Sequence, residues 1–142
     1  MKGASRPLFA LVNYKMSEQP SLLAVVEFLA HNRLRTVYEA AGYRVQTEFT
    51  VRKAIAWLRK NRPAVVTADF YYQPDFRDRL SNLESLLATV QAMPEVKVLV
   101  YYDPAHQAAL DKVAQRFRID AALPVPVRDE ALSQLLVGWL GR

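Results

Sequence analysis

The 142-residue chain contains no cysteine. Disulfides and cysteine-built metal sites are thereby excluded, and a reducing compartment is compatible with the composition. Glycine is scarce too: Gly3, Gly42, Gly138 and Gly141 are the only four. None follows the predicted first or third strand, so no loop there can bring backbone amides close around a phosphate. That argues against Walker, dinucleotide and flavin-phosphate sites. The two histidines, His31 and His106, fall on separate predicted helices with no carboxylate at ligand spacing. No Ser–His–acid set can be assembled from them, no metal site is expected, and no cofactor is implied. Long apolar runs are missing as well, none reaching the roughly 18 residues of a membrane span. The opening MKGASRPLFALVNYK has a short apolar stretch but no small-residue cleavage pattern, and reads as a strand rather than a signal peptide. A soluble cytoplasmic domain is the expectation.

What is present has a globular balance, 51% apolar and 23% charged residues, in a length that suits one domain over residues 1–142. The net charge is +5, most of it from arginines scattered along the chain. A solvated surface with a basic bias accounts for that pattern. Nucleic-acid binding would require the arginines to converge on one face, and nucleic acid is not the favoured partner.

Apolar runs alternate with helical patterns. Strands are expected at Leu8–Tyr14, Tyr43–Phe49, Ala64–Asp69, Val96–Tyr102 and Ala121–Val125. Helices are expected at Ser21–Ala41, Val51–Asn61, Ser81–Met93, Ala105–Phe117 and Asp129–Leu140. The first, third and fourth strands are nearly continuous apolar runs, as strands covered on both faces should be. The second, YRVQTEF, alternates, and the fifth, AALPVP, carries two prolines; both features belong at sheet edges. The implied order is 2-1-3-4-5, a flavodoxin-like doubly wound parallel sheet in a three-layer αβα sandwich. Gly42 sits where the first helix should stop. SNLE at Ser81–Glu84 reads as a capping box. Leu132, Leu135, Leu136, Trp139 and Leu140 form one core-facing stripe on the last helix.

Such sheets bind ligands beyond the carboxyl ends of their strands, where the order reverses. The predicted crevice is lined by Asn13, Tyr14, Asp69, Tyr71, Tyr72, Tyr101, Tyr102, Asp103 and Val125. The first helix is the other unusual feature. At Ser21–Ala41 it would be about 31 Å long, against about 20 Å for a six-residue strand. It either overhangs the sheet or breaks near His31–Asn32–Arg33. One stripe is Leu34, Val37, Tyr38 and Ala41. A second comprises Leu22, Leu23, Val25, Val26, Phe28 and Leu29. That second patch is read as a surface for dimerisation or partner docking, or as a segment folded back over Phe70–Leu80.

Four stretches carry a resemblance. AVVTADFYYQP looks like a third strand ending in an acceptor aspartate, and YEAAGYRV like a first-helix-to-second-strand join. TVRKAIAWLRKNRPAVV looks like a second helix running into strand 3, and LPVPVRDEALSQLL like a fifth strand, proline turn and last helix. Together they resemble the receiver domain of bacterial two-component response regulators, over nearly the whole chain with two insertions. The resemblance implies a phosphoryl-accepting aspartate at Asp69. It also implies an acidic, Mg²⁺-holding pair at the end of strand 1, where Asn13 and Tyr14 stand. A small hydroxyl residue is implied at the end of strand 4, where Tyr101 or Tyr102 stands, and a lysine at Val125, before Pro126. Only the acceptor is kept, so metal-dependent phosphorylation is expected to be lost.

Asp69 then has three readings: an acid capping loop amides, part of a ligand or partner site, or a residual phospho-acceptor. The tyrosines either plug the emptied pocket or form a recognition surface. The leading expectation is a non-catalytic, receiver-like module that binds a protein partner or a second copy of itself. The alternatives are a small-molecule sensor using the tyrosine-lined crevice and a regulator still phosphorylated at Asp69. A hydrolytic or redox enzyme ranks last.

Overall fold

The computed structural model describes residues 19–27, 33–72 and 82–141. Five parallel strands form one sheet in the order β2-β1-β3-β4-β5, as expected from the edge character of YRVQTEF and AALPVP. They are β1 (Ser21–Val25), β2 (Arg44–Glu48), β3 (Val65–Asp69), β4 (Lys97–Tyr102) and β5 (Ala121–Pro124). The helices are α1 (Arg35–Ala40), α2 (Val51–Leu58), α3 (Glu84–Gln91), α4 (Gln107–Arg116) and α5 (Asp129–Trp139). A 3₁₀ turn, Pro104–His106, leads into α4.

The first strand corrects the sequence reading. It is Ser21–Val25, a segment expected to be helical, while Leu8–Tyr14 lies outside the described residues. Paired with β2 on one side and β3 on the other, β1 holds a central place. Its side chains therefore alternate between two buried layers. Leu23 and Val25 join one core with α2 and α3, and Leu22, Ala24 and Val26 join the other with α1 and α5. Leu22, Leu23, Val25 and Val26 are 0, 0, 3 and 6% exposed, so they form no docking patch. Phe28 and Leu29 lie outside the described residues. The helix that remains, α1, has only six residues.

The other elements follow local chemistry. Gly42 adopts φ 107°, the left-handed conformation that ends α1 and turns the chain into β2. Thr50 caps α2, its hydroxyl accepting from the Lys53 amide at 3.0 Å. α3 begins at Glu84 with no side-chain cap, because its N-cap residue is Leu83, which has no polar side-chain atom; Ser81 lies outside the described residues. On α5, Leu132 and Leu136 are fully buried, and Leu135, Trp139 and Leu140 pack around them, as their spacing predicted.

Opposite the carboxyl ends of the strands, Arg118 gathers several chain segments. Its guanidinium donates to the carbonyls of Val90 (3.3 Å), Met93 (3.2 Å) and Val96 (2.9 Å) and pairs with Asp120. Asp120 in turn accepts from the Val98 amide at 2.7 Å. The fork thus ties the end of α3 to the starts of β4 and β5. No helix among the described residues is long and apolar enough to cross a membrane.

Candidate functional site

The carboxyl ends of β3, β4 and β5 build one cleft. Asp69 ends β3 and lies level with Tyr101 on β4, and Tyr102 lies level with Pro124 on β5. Backbone bonds lock the chain beyond these ends: Phe70 N–H donates to Tyr101 O (2.8 Å), and Val125 N–H donates to Tyr102 O (2.9 Å). The resulting cavity has a volume of about 390 Å³. Of the residues expected at the crevice, Asp69, Tyr71, Tyr101, Tyr102, Asp103 and Val125 line it, over β3, β4 and β5 rather than at the reversal between β1 and β3. Phe70, His106 and Pro126, preceded by a cis peptide bond, complete the wall. Tyr72 does not line the cavity. Its ring turns to the His106 ring, 5.5 Å away, in a neighbouring groove. Asn13 and Tyr14 lie outside the described residues.

The paired tyrosines divide by strand alternation. Tyr101 points into the core shared with α1 and α5, and Tyr102 packs toward the layer of α2, α3 and α4. Tyr101 is 2% exposed, and its hydroxyl lies 2.7 Å from that of Tyr38 on α1. Tyr38 also lies 3.1 Å from the Thr67 hydroxyl. This buried chain of hydroxyls forms the floor beneath Asp69. Tyr102 is half-buried and donates to Gln107 Oε1 at 3.2 Å, which holds its ring at the mouth. Asp103 accepts from the Ala105 amide at 2.9 Å and so shapes the 3₁₀ turn that presents His106. Plug and pocket therefore coexist: Tyr101 fills the floor, and a cavity remains above it.

The strand reassignment also changes which residue stands at the end of β1. Val26 and Glu27 follow it, in place of Asn13 and Tyr14. Glu27 Oε1 accepts from Asn82 Nδ2 at 2.8 Å. The same nitrogen reaches Asp69 O at 3.0 Å, and Asn82 Oδ1 accepts from the Tyr71 amide at 2.8 Å. One amide thus splices β1 to the turn after β3. Sequence reasoning missed Glu27 and Asn82 for one reason, the misplaced first strand. It missed His106 because the 3₁₀ turn that aims it at the cleft has no helical period. An acid directly after an apolar run, VVE, was the available signal for Glu27.

Burial and nearby acids shift the tyrosines at and beneath the cleft. Tyr71 has its pKa raised to about 12, first by burial and then by the charges of Asp69 and Glu27. Tyr101 is raised well above 10.0, chiefly by burial. Tyr38 is raised from 10.0 to about 12, mainly by burial and slightly by Asp69, against the opposing effect of its bonds to Thr67 and Tyr101. A stability effect follows. Below pH 10 both folded and unfolded chains keep the Tyr38 proton, and its contribution is whole. Between pH 10 and 12 the unfolded chain ionises first, so stability falls as pH rises, by about 3 kcal/mol for a shift of this size. Urea unfolding at pH 8 to 12 should show the decline beginning near pH 10, with Tyr38→Phe making it shallower and Tyr71 and Tyr101 accounting for the remainder.

The residues are a poor match for a receiver's Mg²⁺ site. Magnesium takes hard oxygen ligands, and Val26 supplies none from its side chain. Glu27 already accepts from Asn82. Among the described residues no three His, Cys, Asp or Glu side chains gather in a metal-holding group.

No family model matches the sequence, and no curated protein does. The fold, in contrast, has many solved counterparts. The signal receiver domain of a putative Luxo repressor protein from Vibrio parahaemolyticus superposes with a TM-score of 0.69 at 18% identity, covering 87% of this chain and 92% of that one. A response regulator receiver domain from Clostridium thermocellum gives 0.69 at 17%, over 87% and 95%. An uncharacterized protein from Neptuniibacter caesariensis gives 0.72 at 19%, over 86% and 87%. At these identities the likeness is one of architecture: the chain has the fold of a response regulator receiver domain.

Proposed function

We propose that this chain is a signalling module of the receiver fold that acts by binding a protein partner, or a second copy of itself, without metal-dependent phosphoryl transfer. The observation that carries this reading is the cleft's chemistry. Where the receiver resemblance calls for an acidic pair, a small hydroxyl residue and a lysine, the chain has Val26 with Glu27, the core-buried Tyr101, and Val125. Phosphoryl transfer depends on positioning and charge neutralisation. With no cation at Val125 and only Glu27 of the acidic pair, both are weakened. Asp69, 5% exposed, serves the fold and the cleft wall rather than an incoming phosphoryl group.

Isothermal titration with Mg²⁺ and beryllofluoride tests the reading. No heat attributable to Asp69 is expected, and wild type and Asp69→Asn should behave alike. Tight binding that Asp69→Asn abolishes would overturn it.

A second reading, a small-molecule sensor, is favoured by the open 390 Å³ cavity. Its size lies in the range of ligand pockets, about 300–1,000 Å³. Nucleic-acid binding is not supported. Arg33, Arg35, Arg116, Arg118 and Arg128 each pair with an acid.

A further inference from the structure

Lysine and arginine number 19 in the chain, and aspartate and glutamate 14. Five of the cations, Arg52, Lys53, Arg59, Lys60 and Arg62, lie within residues 49–63, a stretch that contains no acid. Outside it 14 cations meet 14 acids, so the whole net charge of +5 resides on and just after α2. All five are exposed, and none forms an ion pair among the described residues. Arg59, Lys60 and Arg62 follow the carboxyl end of α2, where the helix dipole favours positive charge, and Arg62 donates to Leu58 O at 2.7 Å. Arg52 and Lys53 stand in the first turn, where the dipole opposes them and no acid offsets them. Helix stability therefore does not account for that pair. The cations border a groove of about 570 Å³ between α2 and α3. Arg52 and Arg59 line it two helical turns apart, about 10 Å. Val51, Ile55 and Ala56 give it apolar surface, and Ser85 forms the α3 side. Glu84, beside Ser85 in sequence, is buried and pairs with Arg116 instead. Phe49, 52% exposed, stands just before the Thr50 cap.

We propose that this groove docks an acidic segment of another protein, with carboxylates on Arg52 and Arg59 and an apolar side chain between them against Ile55 and Ala56. Guanidinium forks match carboxylates in shape as well as charge. A sugar–phosphate backbone would satisfy the cations but leave the apolar surface uncovered. A flat bilayer surface would not enter a groove. Two copies of this face would repel, so an isologous contact of the chain with itself is disfavoured here. The assignment rests on the partner-binding reading, and it names the surface and the chemistry that reading requires.

The test is titration of the full chain, followed by amide chemical shifts, with a synthetic peptide in which leucines are flanked by glutamates. One control peptide carries glutamine for glutamate and another serine for leucine. A single-stranded oligonucleotide and phosphatidylserine vesicles complete the probes. The acidic leucine peptide is expected to perturb the amides of residues 51–60 and Ser85, to weaken as salt rises, and to bind about tenfold more tightly than either control. Arg52→Glu with Lys53→Glu should weaken it at least about tenfold while the thermal midpoint stays at or above wild type, because acids suit the first turn of a helix. That opposition of binding and stability separates a docking role from a structural one. If the serine control binds as tightly as the leucine peptide, the apolar part of the assignment is wrong and the proposal fails. If the oligonucleotide or the vesicles shift the same amides at lower concentration than the peptide, the partner is not a protein and the proposal fails. If the peptide leaves the α2 amides unmoved, this surface is refuted, while the partner-binding reading is judged separately by the beryllofluoride titration.

Discussion

Leu23→Ala is expected to lower the unfolding free energy by about 3 kcal/mol, read as a fall in the urea midpoint at unchanged slope. The expectation rests on where Leu23 sits. It is 0% exposed, on the central strand β1, packed in the core shared with α2 and α3. Removing its outer carbons leaves a void between layers that cannot close, because β1 is hydrogen-bonded on both sides. Leu23→Met, which nearly conserves volume, should cost under about 1.5 kcal/mol. A leucine on a docking patch would behave differently, with Leu23→Ala changing self-association while leaving the midpoint in place. The experiment therefore separates the strand assignment from the surface-helix one.

Arg118→Ala is the second large effect, again about 3 kcal/mol. Its loss leaves the carbonyls of Val90, Met93 and Val96 without this donor and Asp120 without its cation. Each charge-assisted bond is worth about 1.5–3 kcal/mol, but the bonds share one side chain and do not add. Arg118→Lys should recover less than half, because an ammonium is a point donor and cannot span carbonyls that a planar fork reaches together. Amide exchange at Val98 should quicken in both variants, since Asp120 holds that amide and Arg118 holds Asp120. If thermal melts of Arg118→Ala and wild type coincide, the clamp contributes nothing.

Most of the architecture was legible from sequence, and the reasons are specific. β3 and β4 are continuous apolar runs. AALPVP carries its edge character in its prolines, and Gly42 marks the end of α1 through its conformational freedom. The edge places of β2 and β5 followed from alternation and prolines, while the interior place of strand 1 was read from LFALV and is filled by the equally apolar SLLAV. The position of β1 itself was not legible. LFALV and LLAVV are both short apolar runs, and period alone does not separate a buried strand from a buried helical segment of that length. SLLAVV borrowed helical character from the true helical residues Arg35–Ala40 that follow it. Its two adjacent valines were the counter-signal, since β-branched residues favour strands.

That one displacement propagated into the site. Asp69, Tyr71, Tyr101, Tyr102, Asp103 and Val125 line one cavity because they end or directly follow β3, β4 and β5. Glu27 was missed because it follows β1. Tyr38 was assigned to a core stripe, correctly, but its hydroxyl contacts with Thr67 and Tyr101 arise from tertiary packing that no local pattern encodes.

The two flanks of the sheet bear on how copies of the chain could associate. β5 is only four residues long and closes on Pro124, which has no amide hydrogen to offer a neighbouring chain. At the opposite margin, β2 begins and ends in opposite charges, Arg44 and Glu48, over five residues. Among the described residues neither margin is a long, flat, apolar template for recruiting a foreign strand, which disfavours open-ended stacking through them. Any self-association should be finite and should run through helix surfaces.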